Sequence, residues 1–176
     1  MPFGRSPRKL STESELYNSA LRALTRRAHS IHEMRVYLER RADDKELISH
    51  VIARLRESKY LDDARYAAEF ARLHAQSRRQ GRFRIARELR QRGVPDQHIE
   101  SAIESIFADT DESALVRLAV KRRLAHIRGA LDQRKIASLY RTLLRAGFST
   151  DVIRTELRGV TQGDLPEFPD SLGEAE

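Results

Sequence analysis

Seven arginines and a single carboxylate, Glu88, occupy the stretch SRRQGRFRIARELRQRGV, Ser77 to Val94. Arginine presents a planar fork of donors that pairs bidentately with carboxylates and phosphates, so the chemistry on offer is the recognition of anions. The spacing says how these groups are presented. With Gly81 just ahead of a helix, Ile85, Ala86 and Leu89 share one face, while Arg84, Arg87 and Arg90 lie on roughly the opposite side. Arg78, Arg79 and Arg82 fall in and near the preceding turn. The expectation is a basic ridge on an apolar-backed helix, with Glu88 alone to offset its self-repulsion. A solvated face tuned for solubility is the plain alternative.

Other chemistries find less support. The acids of LDDAR, Asp62 and Asp63, could form a dyad for acid or base work, but both stand at a helix start, where capping explains them. The histidines at positions 29, 32, 50, 74, 98 and 126 are scattered; His29 and His32 are three apart, and no second pair completes a metal site. There is no cysteine, which excludes disulfides and thiolate ligands and fits a reducing compartment, the cytoplasm by default. With no Gly-rich phosphate loop and no G-x-S-x-G, neither enzyme activity nor a cofactor is expected. Tyr60, Tyr66 and Phe70 cluster around one helix, and the spacing of the last two reads most simply as core. Lys plus Arg outnumber Asp plus Glu 33 to 26 in a chain of 176 residues, which makes a polyanionic partner plausible. Further clusters stand at Thr25 to His29 (TRRAH) and Lys121 to Arg123 (KRR). No apolar run is long enough for a signal peptide or a membrane span.

These side chains must be positioned by helices, because apolar residues recur at three and four along the chain and never persistently at two. An internal repeat organises them. Met34, Leu38, Ile48 and Ile52 fall on Ile85, Leu89, Ile99 and Ile103, which in turn fall on Leu139, Leu143, Ile153 and Leu157. The turn between the two helices repeats as RRADD, RGVPD and AGFST. Gly93 and Gly147 sit where a helix ends in a left-handed residue, and Val94 and Phe148 can fold back as the hydrophobic contact of a Schellman-type cap. Ala42 replaces the glycine in the first copy, so that turn must be built differently. Each copy opens with an earlier helix, roughly Glu13 to Arg27, Asp63 to Gln76 and Glu112 to Ile127, the middle one capped by Asp62 with Leu61 stapled onto Tyr66.

The reading is all-α: three tandem three-helix repeats over 12–58, 59–108 and 109–160, forming an elongated, curved array with a long surface in place of a closed pocket. A basic arm, 1–11, and an acidic tail, 161–176, flank them. Without a heptad seam, a monomer is expected.

The run from Tyr60 to Val94 resembles the signature segment of the RecX family of bacterial recombination regulators. The elements that carry the likeness are Leu61, Asp62, Asp63, Arg65, Tyr66, Phe70, Arg78, Gly81, Ile85, Leu89, Gly93 and Val94. The family's three tandem three-helix repeats match the repeat found independently, so the resemblance spans about residues 12 to 160. It implies a non-enzymatic modulator that binds in the helical groove of the RecA filament on single-stranded DNA and inhibits ATP hydrolysis, strand exchange and coprotease activity, in DNA repair, recombination and the SOS response. Weak direct DNA binding is implied for some members. The candidate contacts are Arg78, Arg79, Arg82, Arg84, Arg87 and Arg90. A DNA-binding protein acting without RecA, reading duplex through the Gly81 to Arg92 helix, is the alternative, although the helix after RGVPD is acidic where a recognition helix should be basic. A scaffolding role is the third.

Overall fold

The computed structural model describes residues 9–108, 111–127 and 129–161, and among them every regular element is a helix. They are α1 (Glu13–Leu24), α2 (Ile31–Glu39), α3 (Glu46–Glu57), α4 (Asp63–Gln76), α5 (Arg82–Gln91), α6 (Asp96–Ala108), α7 (Glu112–Leu124), α8 (Gln133–Arg145) and α9 (Thr150–Thr161). Residues 1–8 of the expected arm and 162–176 of the expected tail lie outside the described residues.

Helix starts are set by side chains that accept the free N–H groups of the first turn. Thr12 Oγ1 accepts the Glu15 N–H at 3.2 Å while the Glu15 carboxylate reaches back to the Thr12 N–H at 3.3 Å. Ser30 and Glu33 build the same reciprocal box on α2, and Asp111 and Asp132 cap α7 and α8. At α4, Asp62 Oδ1 accepts the Arg65 N–H at 3.0 Å, as the sequence suggests. Asp63 does more than favour the helix dipole. Buried, it accepts the N–H of Ile31 at 2.9 Å, so one carboxylate ties the starts of α4 and α2 together.

Helix ends follow the glycines. Gly93 (φ 69) and Gly147 (φ 86) are left-handed. Val94 N–H bonds back to Leu89 C=O and Gly93 N–H to Arg90 C=O; Phe148 and Gly147 do the same with Leu143 and Leu144. Both are Schellman turns, with Val94 and Phe148 buried as the expected apolar contacts. The first copy differs, as the missing glycine requires. Ala42 is buried and Leu10 runs parallel to it, its N–H bonding Arg41 C=O at 2.7 Å and its C=O taking the Asp43 N–H at 3.0 Å. The end of the expected N-terminal arm thus closes the turn that lacks a glycine.

The chain divides into two compact units, Met1–Ala67 with Leu89–Ile99 and Ala68–Glu88 with Glu100–Glu176, so that α4, α5 and α6 each contribute residues to both. In the first, α1, α2 and α3 pack together over Leu16, Ala20, Met34, Leu38, Ile48, Val51, Ile52 and Leu55. In the second, α7, α8 and α9 enclose Val116, Val120, Leu139, Tyr140, Leu143, Phe148, Ile153 and Leu157. The repeated apolar positions are therefore the cores, Ile103 alone among them being half-buried. Truncating one to Ala costs about 2–5 kcal/mol.

Candidate functional site

The arginine-bearing turn between α4 and α5 is held by a buried polar chain in the second unit. His74, stacked on Phe70 with ring centroids 3.7 Å apart, places Nδ1 2.6 Å from Gln80 Oε1. Gln80 Nε2 donates to Glu88 at 3.2 Å, and Arg84 Nε donates to the same carboxylate oxygen at 2.8 Å. Burial pushes the Glu88 pKa up, but the Arg84 hydrogen bond and charge, with His74 and Gln80 behind them, outweigh it and hold the carboxyl below its usual range. The N-terminus of α5 is pinned from another side. The Gly81 N–H bonds Ala146 C=O at 2.8 Å and the Phe83 N–H bonds Gly147 C=O at 3.1 Å. A Cβ on Gly81 would collide with the Gly147 carbonyl, and one on Gly147 with the backbone of Arg84. Both glycines are therefore required by close backbone approach.

On this frame the six candidate arginines separate. Arg82 Nε donates to buried Glu112 at 3.1 Å, and its guanidinium lies over the Phe107 ring. Arg84 is bound to Glu88, and Arg90 Nε donates to Asp96 at 2.7 Å with both side chains exposed. Among the described residues the side chains of Arg78 and Arg87 have no hydrogen-bond or ionic partner, and both residues are exposed. Arg79 adopts the left-handed φ of 53 and holds Nη1 buried without a partner. The ridge is thus less uncompensated than Glu88 alone implies, because Glu112 and Asp96 arrive from elsewhere in the chain and Glu33 takes Arg92 at 2.9 Å.

One residue of this surface escaped the sequence reading. Phe83 is 60% exposed, four residues after Arg79 and four before Arg87. The signal was present: Phe83 precedes Ile85 by two, which turns it about 200° from the apolar stripe. Tyr60 is exposed as well, whereas Tyr66 is core and Phe70 half-buried. The remaining motif residues shape the frame: Leu61, Ile85, Leu89 and Val94 are buried, and Arg65 Nη2 donates to the Lys59 carbonyl at 3.1 Å.

Among the described residues no group of three His, Asp or Glu side chains could hold a metal, and no helix is long and apolar enough to cross a membrane. Residues 17–55 match the model of the first three-helix domain of RecX, and 62–103 match that of the second. A regulatory protein RecX from Halorhodospira halophila is 36% identical over 147 residues, 84% of this chain and 89% of that protein. The chain belongs to the RecX family. A second RecX, from Deinococcus radiodurans, is 35% identical over 92% of this chain and 76% of its own. The crystal structure of RecX from Lactobacillus salivarius superposes with a TM-score of 0.71 at 25% identity, covering 85% of this chain and 96% of that one. A further RecX crystal structure, at 23% identity and the same TM-score, supports the fold: an all-α helical repeat. The relatives carry the designation of regulatory proteins, and this chain is a member of that regulatory family.

Proposed function

We propose that this protein binds the RecA nucleoprotein filament in its helical groove and inhibits RecA ATP hydrolysis, strand exchange and coprotease activity, acting in the cytoplasm in DNA repair, recombination and the SOS response. Membership of the RecX family supports the partner. The observation that carries the site is the presence, within the matched second domain, of Arg78, Arg79 and Arg87 without counter-ions, all within five residues of exposed Phe83 along the chain. Cations that are already paired offer a second anion little, while unpaired guanidinium groups next to an aromatic ring offer charge, bidentate geometry and apolar area together. We therefore assign contact to Arg78, Arg79 and Arg87, and assign Arg82, Arg84 and Arg90 to holding the shape of the surface. The chain acts as a regulator and not as an enzyme in this reading.

The test follows RecA ATPase on single-stranded DNA as the protein is titrated in. Wild type inhibits; Arg78→Ala with Arg87→Ala requires about tenfold more protein for the same inhibition, two exposed charges being worth roughly 1 kcal/mol or less each. Absence of inhibition by wild type, with tight binding to bare DNA, would transfer the function to direct DNA binding. Acidic α6, with Asp96, Glu100 and Glu104, does not favour that outcome.

A further inference from the structure

The KRR cluster at the end of α7 has no part in the arginine surface described above. It opens a strongly cationic stretch of the second unit: between Lys121 and Ser149 the chain carries eight Lys or Arg and one carboxylate, Asp132, which caps α8. A groove of about 230 Å³ lies between the end of α7 and α8, lined by Arg123, His126 and Lys135, by hydroxyl-bearing Ser138, and by apolar Ile127 and Leu139. Among the described residues no carboxylate lines it. Lys135 is engaged, its Nζ donating to the Ala130 carbonyl at 2.7 Å, and His126 Nδ1 donates to the Arg122 carbonyl at 2.8 Å. The side chains of Arg122, Arg123 and Arg134 have no hydrogen-bond or ionic partner among the described residues, and all three residues are exposed.

α9 ends close by. Val160, in its last turn, shares an apolar depression of about 250 Å³ with Val120, Lys121 and Leu124 of α7. Glu156 borders the same depression, but it is held by Arg117 through two bonds at 3.0 and 2.9 Å. The sequence that follows α9 therefore departs from the cationic end of α7, about one helical turn, roughly 5 Å, from Arg123. That sequence, QGDLPEFPDSLGEAE over 162–176, holds five acids and no Lys or Arg. Its first three acids, Asp164, Glu167 and Asp170, recur at a spacing of three, as do Leu165 with Phe168 and Pro166 with Pro169.

We infer that the acidic segment 162–176 docks into the groove between α7 and α8 of its own unit and withholds that cationic surface from other polyanions. Three residues is the period of the extended chain that proline favours, which sets the acids along one edge and Leu165 and Phe168 along another. The acidic edge meets Arg122, Arg123 and Arg134, whose charges nothing else in the described structure answers. The apolar edge meets Ile127 and Leu139. Reach is no obstacle, because fifteen extended residues span up to about 50 Å. Docking within one chain also favours this occupant over an outside one, since the tether keeps its effective concentration high. This inference stands apart from the filament reading and does not depend on it.

The chain has no cysteine, so a nitroxide introduced through Ser171→Cys reports from a single position in the full chain. At low salt the label is expected to broaden the amide signals of Arg123, His126 and Ser138, to the same extent on dilution. Removing the acids with Asp164→Asn, Glu167→Gln and Asp170→Asn, or reversing one groove charge with Arg123→Glu, should cut that broadening several-fold. In anisotropy titrations, fluorescein-labelled oligo-dT should bind the acid-neutralised chain several-fold more tightly than wild type, a gain that Arg123→Glu removes. Broadening confined to other residues, broadening insensitive to both charge changes, a dependence on dilution that marks contact between copies, or equal oligo-dT binding by wild type and the acid-neutralised chain would each overturn the assignment. None of these readouts involves RecA, so failure here is distinct from failure of the filament reading.

Discussion

Glu33 gathers much of the first unit onto one carboxylate. It accepts Arg27 at 3.0 Å, Arg92 at 2.9 Å and the Tyr66 hydroxyl at 3.3 Å while closing its capping box on the Ser30 N–H at 3.2 Å. Burial pushes its pKa up, but the bonds from Arg27 and the Ser30 N–H and the charges of Arg27 and Arg92 more than offset this and leave it below 4.5. A depressed carboxylate contributes stability above its unfolded pKa, and that contribution is lost as pH falls through the lower folded value. Asp63 has the opposite sign, since burial raises its pKa above 3.8 and the folded state gains relative to the unfolded one as pH falls through that range. Glu33→Gln should therefore cost about 2 kcal/mol at neutral pH, with the deficit shrinking below pH 4.5 in paired urea melts, where the Asp63 contribution cancels between variant and wild type. Half of this residue is local, because SIHE carries the capping-box pattern in four consecutive residues. The other half is not: Tyr66 and Arg92 lie 33 and 59 positions away, and no local spacing announces them.

At the scale of elements, the turns were the most legible part of the chain. Glycine followed by an apolar residue is a local solution to a local problem, and Gly93–Val94 and Gly147–Phe148 form the turns their sequence implies. What remained hidden is that the second of these turns is also a docking surface for the start of α5, since contact between Gly81 and Gly147 depends on packing that leaves no mark in the periodicity. The same reason hid the counter-ions of Arg82 and Arg90. Gly81→Ala should cost about 2–4 kcal/mol in chemical denaturation, because a backbone carbonyl meets the new methyl and cannot swing aside as a side chain could. Gly159→Ala serves as the control. Gly159 is in α9 with open space around its Cβ, so the change should stabilise by roughly 0.5–1 kcal/mol through helix propensity.

For the whole molecule, the helical class, the family and the apolar residues of the cores could be read from the sequence because one pattern occurs three times, and repetition separates signal from chance. Where function resides was less legible, since exposure and pairing of arginines are properties of the fold and not of composition. The formal charge of +7 adds a prediction at this scale. Inhibition of RecA should weaken as salt is raised from 50 to 200 mM, and Arg78→Ala with Arg87→Ala should show a shallower dependence if those groups meet the filament's anions. The bonds from Gly81 and Phe83 to the carbonyls of Ala146 and Gly147 have a consequence for truncation. A chain cut after Ala108 keeps every arginine of the exposed surface but loses the acceptors that hold the first turn of α5. Amides at Gly81 and Phe83 would then exchange with solvent early, and the shortened protein would present the same charges from a frayed helix end.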